Sequence, residues 1–216
     1  KNGHIKPMKP FAASSIPLAT LGVFILWMGW FGFNGGSQLA LGTLDDSISV
    51  SKIFINTNLA ACGGVMANAA FTRLVYGRTD VIHMLNGAIA GLVAITAEPL
   101  TPSPFAAILI GGVGGLIAVF GTQLLYKFKI DDVVGAIPAH LFAGIWGTLA
   151  VPITNNQVAF SSQLIGIISI NVFVFVISFA IWFIIKQTAG IRLSAKAEKL
   201  GTDKSEVGVV AYAIRD

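Results

Sequence analysis

The stretch Leu164–Ile185, LIGIISINVFVFVISFAIWFII, runs for 22 residues without an ionisable side chain and gives way at Lys186 to a polar segment. A hydrocarbon core about 30 Å thick takes about 20 apolar residues of helix, so this stretch reads as a membrane span. Toward the N-terminus five more stretches meet the same requirement: Ile16–Phe33, Ile53–Tyr76, Val81–Ala97, Phe105–Tyr126 and Val133–Val151. The connections between them are short and carry turn residues, among them Asp45-Asp46, Glu98-Pro99 with Pro102 and Pro104, and Asn155-Asn156. Six spans with short loops predict an all-α integral membrane fold, with a cytoplasmic loop over 1–15, a compact bundle over 16–185 and a cytoplasmic tail over 186–216.

Composition agrees. Of the 216 residues 55% are hydrophobic and 11% charged, against about 25% charged in an ordinary soluble domain, which excludes a soluble globule. The excess of 14 Lys+Arg over 10 Asp+Glu lies between the apolar runs, where it reports topology and not a nucleic-acid surface. With the N-terminus in the cytoplasm, Lys1, Lys6, Lys9, Arg73, Arg78, Lys127, Lys129, Lys186, Arg192, Lys196, Lys199, Lys204 and Arg215 all fall inside, and only Lys52 falls outside. Both ends of this multi-pass segment are therefore expected on the cytoplasmic face of the cell membrane. The single Cys62 excludes an internal disulfide and a thiolate cluster. No metal-ligand spacing, phosphate loop or nucleophile elbow is present, so neither an enzyme nor a metal or cofactor is expected. A chain that opens on Lys1 with no signal segment is expected to be a piece of a longer one.

The polar and small residues inside the spans carry the functional reading. Gly32/Gly36, Gly87/Gly91 and Gly111/Gly115 are small-xxx-small pairs, which let helix backbones approach closely. His140 lies eight residues beyond Asp132, hence about 12 Å into its helix at 1.5 Å per residue and near the midplane. An ionisable group there faces a cavity, a partner or a pathway. It is either a neutral ring satisfied by a neighbour or a group that relays a proton or binds a polar solute. His83, close to the inner surface, reads as an interfacial residue. The segment Trp27-Met-Gly-Trp-Phe-Gly-Phe-Asn-Gly-Gly-Ser37 packs four large rings among glycines at the outer end of the first span. Beyond interfacial anchoring, such rings attract cations, and the Ser37 hydroxyl can accept a hydrogen bond from an ammonium-type donor. Asp131 and Asp132 open the fifth span, where acidic side chains cap orphan N–H groups and suit the helix dipole. The tail, with Leu193, Leu200, Val207, Val209 and Tyr212 among its charges, is either a solvated end or a docking and linking element.

Four motifs in order carry a family resemblance: Gly29-Trp-Phe-Gly-Phe-Asn-Gly-Gly-Ser37, Asn56-Thr-Asn-Leu-Ala-Ala61, Leu85-Asn-Gly-Ala-Ile-Ala-Gly-Leu-Val-Ala-Ile-Thr96, and Asp131-Asp-Val-Val-Gly-Ala-Ile-Pro-Ala-His140 followed by Gly144-Ile-Trp-Gly147. The sequence resembles the C-terminal half of ammonium transporters of the Amt/Mep/Rh type. The resemblance implies eleven helices, the first ten in two inverted repeats, and a homotrimer with one narrow pore per subunit. The six spans here resemble helices six to eleven, the second repeat plus the final helix. It further implies that Trp30, Phe33 and Ser37 bind ammonium at the outer site, that Phe33 is one ring of the pore gate, and that His140 is the second of two pore histidines. The remaining gate and pore residues belong to a first repeat that this chain does not contain. Two departures stand out. Leu141 follows His140 where the family usually has Gly, and Ser205-Glu-Val-Gly-Val209 replaces the usual Ser-Glu-His-Gly-Glu. The implied activity is ammonium or ammonia transport, or ammonium sensing on the same fold. The implied partner of the tail is a PII-type regulator or a fused signalling domain beyond residue 216.

Overall fold

A computed structural model describes residues 14–211. Their order is α1 (Ile16–Gly36), α2 (Leu44–Tyr76), α3 (Val81–Thr96), α4 (Pro104–Phe128), a π-turn (Ile137–Phe142) leading into α5 (Ala143–Thr154), α6 (Phe160–Thr188), α7 (Ala195–Leu200) and a second π-turn (Asp203–Val207). Among the described residues there is no strand. Four helical segments, Ile16–Gly36, Pro104–Phe128, Ile137–Thr154 and Phe160–Thr188, are long and apolar enough to cross a membrane; Val81–Thr96 is apolar but shorter. Most of the expected loop over 1–15, and Tyr212 of the tail, lie outside the described residues.

Each of the six apolar stretches falls on a helix, and capping explains where the ends differ from the hydropathy limits. The second helix starts at Leu44, not Ile53, because Thr43 and Asp46 form a reciprocal capping box. The Thr43 hydroxyl accepts from the Asp46 N–H at 3.1 Å, while the Asp46 carboxylate accepts from the Thr43 N–H at 3.1 Å. Ser15, Asp80 and Ser103 cap α1, α3 and α4 through the N–H groups of Leu18, His83 and Ala106. The helical segment of the fifth stretch begins at Ile137, not Val133, after a turn in which Gly135 has φ +74°. The sixth continues past Lys186 to Thr188.

The chain divides into two units, 1–164 and 165–216. In the first, α2, α3 and α4 pack against one another through alanine and glycine: Ala60, Ala61 and Gly64 on α2, Ala90 and Gly91 on α3, and Gly111, Gly115 and Ala118 on α4 are all buried. A methyl group built on Gly64 would overlap the Gly87 carbonyl oxygen, and one on Gly111 would overlap the Ala60 carbonyl oxygen. Backbones meet directly, as small residues allow where lipid supplies no hydrophobic drive between helices. No described residue packs against the Gly32/Gly36 pair, and both face open space. Polar side chains tie the helices to one another and to the loop after α3. Asn56 donates to the carbonyls of Pro99 and Pro102 at 2.9 and 2.8 Å, Asn68 to that of His83 at 2.7 Å, and the Trp146 indole to that of Ile110 at 2.9 Å.

In the second unit the rings of Phe175, Phe179 and Phe183 stack along α6 with centroids 6.2 and 6.3 Å apart. Ser194 caps α7, and Arg192 pairs with Glu198 at 2.9 Å. Asp203 then accepts from the N–H groups of Lys204 at 2.9 Å and Ala211 at 3.0 Å, closing the last loop.

Candidate functional site

The aromatic end of α1 is held by its polar atoms. The Trp30 indole N–H donates to the Thr96 hydroxyl at 2.8 Å, and that hydroxyl donates onward to the Leu92 carbonyl at 2.7 Å. Trp30 and Phe33 lie with ring centroids 5.5 Å apart and planes tilted by 45°. Phe33 is 62% exposed. One turn on, the Ser37 hydroxyl donates to the Phe33 carbonyl at 2.8 Å. Asn34, between them, is buried, and its amide nitrogen donates to the Thr57 hydroxyl at 3.0 Å.

Beside Ser37 is an open cavity of about 250 Å³, lined by Asn34, Ser37, Gln38, Ile53, Thr96, Ala97, Glu98, Pro99 and Leu100. A donor inventory gives its chemistry. The Ser37 and Thr96 protons are spent on backbone carbonyls and an Asn34 amide proton on Thr57. Ser37 and Glu98 offer acceptor oxygens, while Asn34 and Gln38 each present an acceptor oxygen beside amide N–H donors. Acceptor oxygens that include a carboxylate suit a small donor that carries positive charge. Neither Trp30 nor Phe33 is among the lining residues; Trp30 reaches the wall only through its bond to Thr96.

The π-turn presents His140. Its entry is satisfied group by group: Asp132 accepts from the N–H of Ala136 at 2.9 Å and of Ile137 at 2.8 Å, Pro138 has no N–H, and the Ala139 N–H reaches the Gly135 carbonyl at 3.1 Å. Asp131 is exposed and forms no bond in this cap. Packing of Pro138 and Phe142 against Gly121 of α4 fixes the turn from behind. His140 is exposed, and among the described residues its imidazole forms no hydrogen bond. With its helix starting at Ile137, it lies in the first turn, nearer the helix start than its distance from Asp132 implies. His83 is set apart from both places. Its Nδ1 lies 3.0 Å from the Asp80 carboxylate and its ring meets Tyr76 edge-on, with centroids 5.9 Å apart.

The structure thus gathers Trp30, Phe33 and Ser37 at one end of the bundle and leaves His140 on a separate exposed wall. In the sequence Glu98 stands only as loop punctuation before Pro99. Its place in the cavity follows from α3 ending at Thr96 and from Asn56 drawing the loop inward, which a linear pattern does not encode.

Comparison with known proteins adds an independent line. The model of the Ammonium Transporter Family matches residues 1–212. The chain is 41% identical to ammonium transporter Amt2 of Archaeoglobus fulgidus over 92% of its own length and 46% of that protein. It is 34% identical to the ammonium transporter of Bacillus subtilis, over 89% of its length and 50% of that protein. Among solved structures, it superposes on a Sensor Amt Protein with TM-score 0.81 and 32% identity, covering 89% of this chain and 49% of that one. Candida albicans Mep2 gives TM-score 0.77 at 26% identity, covering 95% and 48%. The chain spans about half the length of the curated relatives it matches.

Proposed function

The chain belongs to the ammonium transporter family, and we propose that it forms the half of an ammonium conduit that supplies the outer capture site and one wall of the pore. The observation that carries this reading is the cavity at Ser37, where the Ser37 and Thr96 hydroxyl protons are spent on backbone carbonyls and Glu98 only accepts, so that acceptor oxygens meet a donating cation. Ammonium is held there by the Ser37 oxygen, at the end of α1 that also bears the Trp30 and Phe33 rings. It gives up a proton to water at the mouth, and ammonia passes Phe33 and then His140. The exposure of the His140 imidazole supports a place on a surface that a further part of the protein completes. A ring with one donor and one acceptor nitrogen can serve a neutral solute there. The assembly is a homotrimer, with six spans from this chain and both of its ends in the cytoplasm. The clustering of basic residues supports that orientation.

Ammonium-dependent uptake or current in the natural gene product that carries this chain tests the reading. Ser37→Ala is expected to raise the half-saturating ammonium concentration, and Phe33→Ala to alter permeation more than folding. Unchanged saturation in a correctly assembled Ser37→Ala protein would remove the capture site. A second reading, an ammonium sensor that signals through the tail, is supported by the likeness to a Sensor Amt Protein and by the ordered loop that Asp203 closes. Saturable signalling without appreciable flux would select it. In either reading a PII-type regulator or a fused signalling domain meets the tail.

A further inference from the structure

We propose that Glu98 is a cation-steering residue of the cavity beside Ser37, a fixed carboxylate that raises the local concentration of ammonium at the acceptor wall; this rests on the capture reading above. Glu98 is the ionisable side chain in the cavity lining. It is not a free surface carboxylate. Its Oε1 accepts from the N–H groups of Leu100 at 3.2 Å and Thr101 at 3.3 Å, and its Oε2 faces the Asn155 amide at 3.4 Å. The loop that bears it is itself clamped, since buried Asn56 holds the carbonyls of Pro99 and Pro102. A negative charge fixed in this way acts on an arriving cation without first reorganising.

The surroundings do not cancel it. In the described segments that close this end of the bundle, 37–52, 97–103 and 155–160, the charged side chains are Asp45, Asp46, Lys52 and Glu98. Three carboxylates against one ammonium leave the mouth negative. Clefts lined by one sign of charge concentrate ligands of the other sign. Ser37 and Asn34 select a donor by geometry, whereas Glu98 selects by charge. It should therefore act on saturation and leave turnover alone.

The clamp on Leu100 and Thr101 gives Glu98 a structural task as well, and Glu98→Gln separates the two because the amide oxygen still accepts those N–H groups, while the charge and the long contact from the Asn155 amide are gone. In the natural gene product, with ammonium chloride as the probe and ionic strength set by a bulky-cation salt, Glu98→Gln is expected to raise the half-saturating ammonium concentration about three- to tenfold at low salt. The maximal response is expected to stay unchanged and the two proteins to converge at high salt, where exposed charges are screened. Glu98→Asp, which keeps the charge, should lie closer to wild type. Equal saturation at low salt, or a difference that high salt leaves intact, overturns the proposal. Should Ser37→Ala raise the half-saturating concentration while Glu98→Gln does not, Glu98 loses this role and capture stands; should neither change it, the capture reading itself falls.

Discussion

Trp30 and Thr96 are joined by a 2.8 Å hydrogen bond from indole N–H to hydroxyl, which fastens the aromatic end of α1 to the last turn of α3. Thr96 is chained in turn to Leu92 of its own helix, so the ring is tied to the backbone of a second helix. Each bond of this kind contributes about 1 kcal/mol. A double-mutant cycle of Trp30→Phe and Thr96→Val is expected to give a coupling energy near about 1 kcal/mol in thermal or denaturant unfolding. Strict additivity of the two variants would mean that the bond does not hold the ring.

Gly111 and Gly32 both belong to small-residue pairs but meet different surroundings, one the Ala60 backbone and the other open space. Gly111→Ala forces α2 and α4 apart and is expected to cost about 1–3 kcal/mol. Gly32→Ala gains helix propensity of up to about 1 kcal/mol and meets nothing. Melting temperatures of the two variants in the same detergent should move in opposite directions.

His140→Leu tests the pore wall. The imidazole is exposed and its turn is anchored by Asp132, Pro138 and Phe142, not by the ring, so assembly is expected to survive the change. Loss or alteration of the electrogenic part of ammonium transport, or of the ammonium response in a sensor, is the expected outcome. Wild-type currents or signalling in a correctly assembled variant would reduce His140 to a structural residue.

The tail loop carries a pH prediction. The N–H of Ala211 first, and then that of Lys204, draw the Asp203 carboxyl below the usual carboxylate value. A depressed carboxyl stabilises the closed loop above the ordinary carboxylate range and loses that effect as pH falls through the lowered value. Hydrogen exchange at the Ala211 and Lys204 amides should therefore be protected near neutral pH. It should be deprotected, relative to intrinsic rates, in acid and in Asp203→Asn. Equal protection of Asp203→Asn and wild type at neutral pH would show that the carboxylate does not close the loop.

Hydropathy made the helices legible because lipid and packed alanine alike demand apolar side chains over a fixed length. It could not place the start of α2, where Leu44–Lys52 is polar in composition yet helical through the Thr43–Asp46 box. Nor could it see that Val133–Gly135 turns before its helix begins, a matter of one left-handed glycine and one carboxylate. The aromatic segment with Ser37 stood out because its residues are neighbours in sequence. Glu98 did not, because it reaches the cavity through a loop folded by a side chain more than forty residues away.

The π-turn at Ile137–Phe142 also bears on how this chain is aligned with others. Such a turn houses one residue more than an α-turn over the same rise, so a relative with a regular helix at this place needs a one-residue gap opposite 137–142. An ungapped alignment would carry α5 correctly and still pair His140 with a neighbour of its true counterpart. Any assignment of the ring by sequence position alone thus depends on where that gap is drawn.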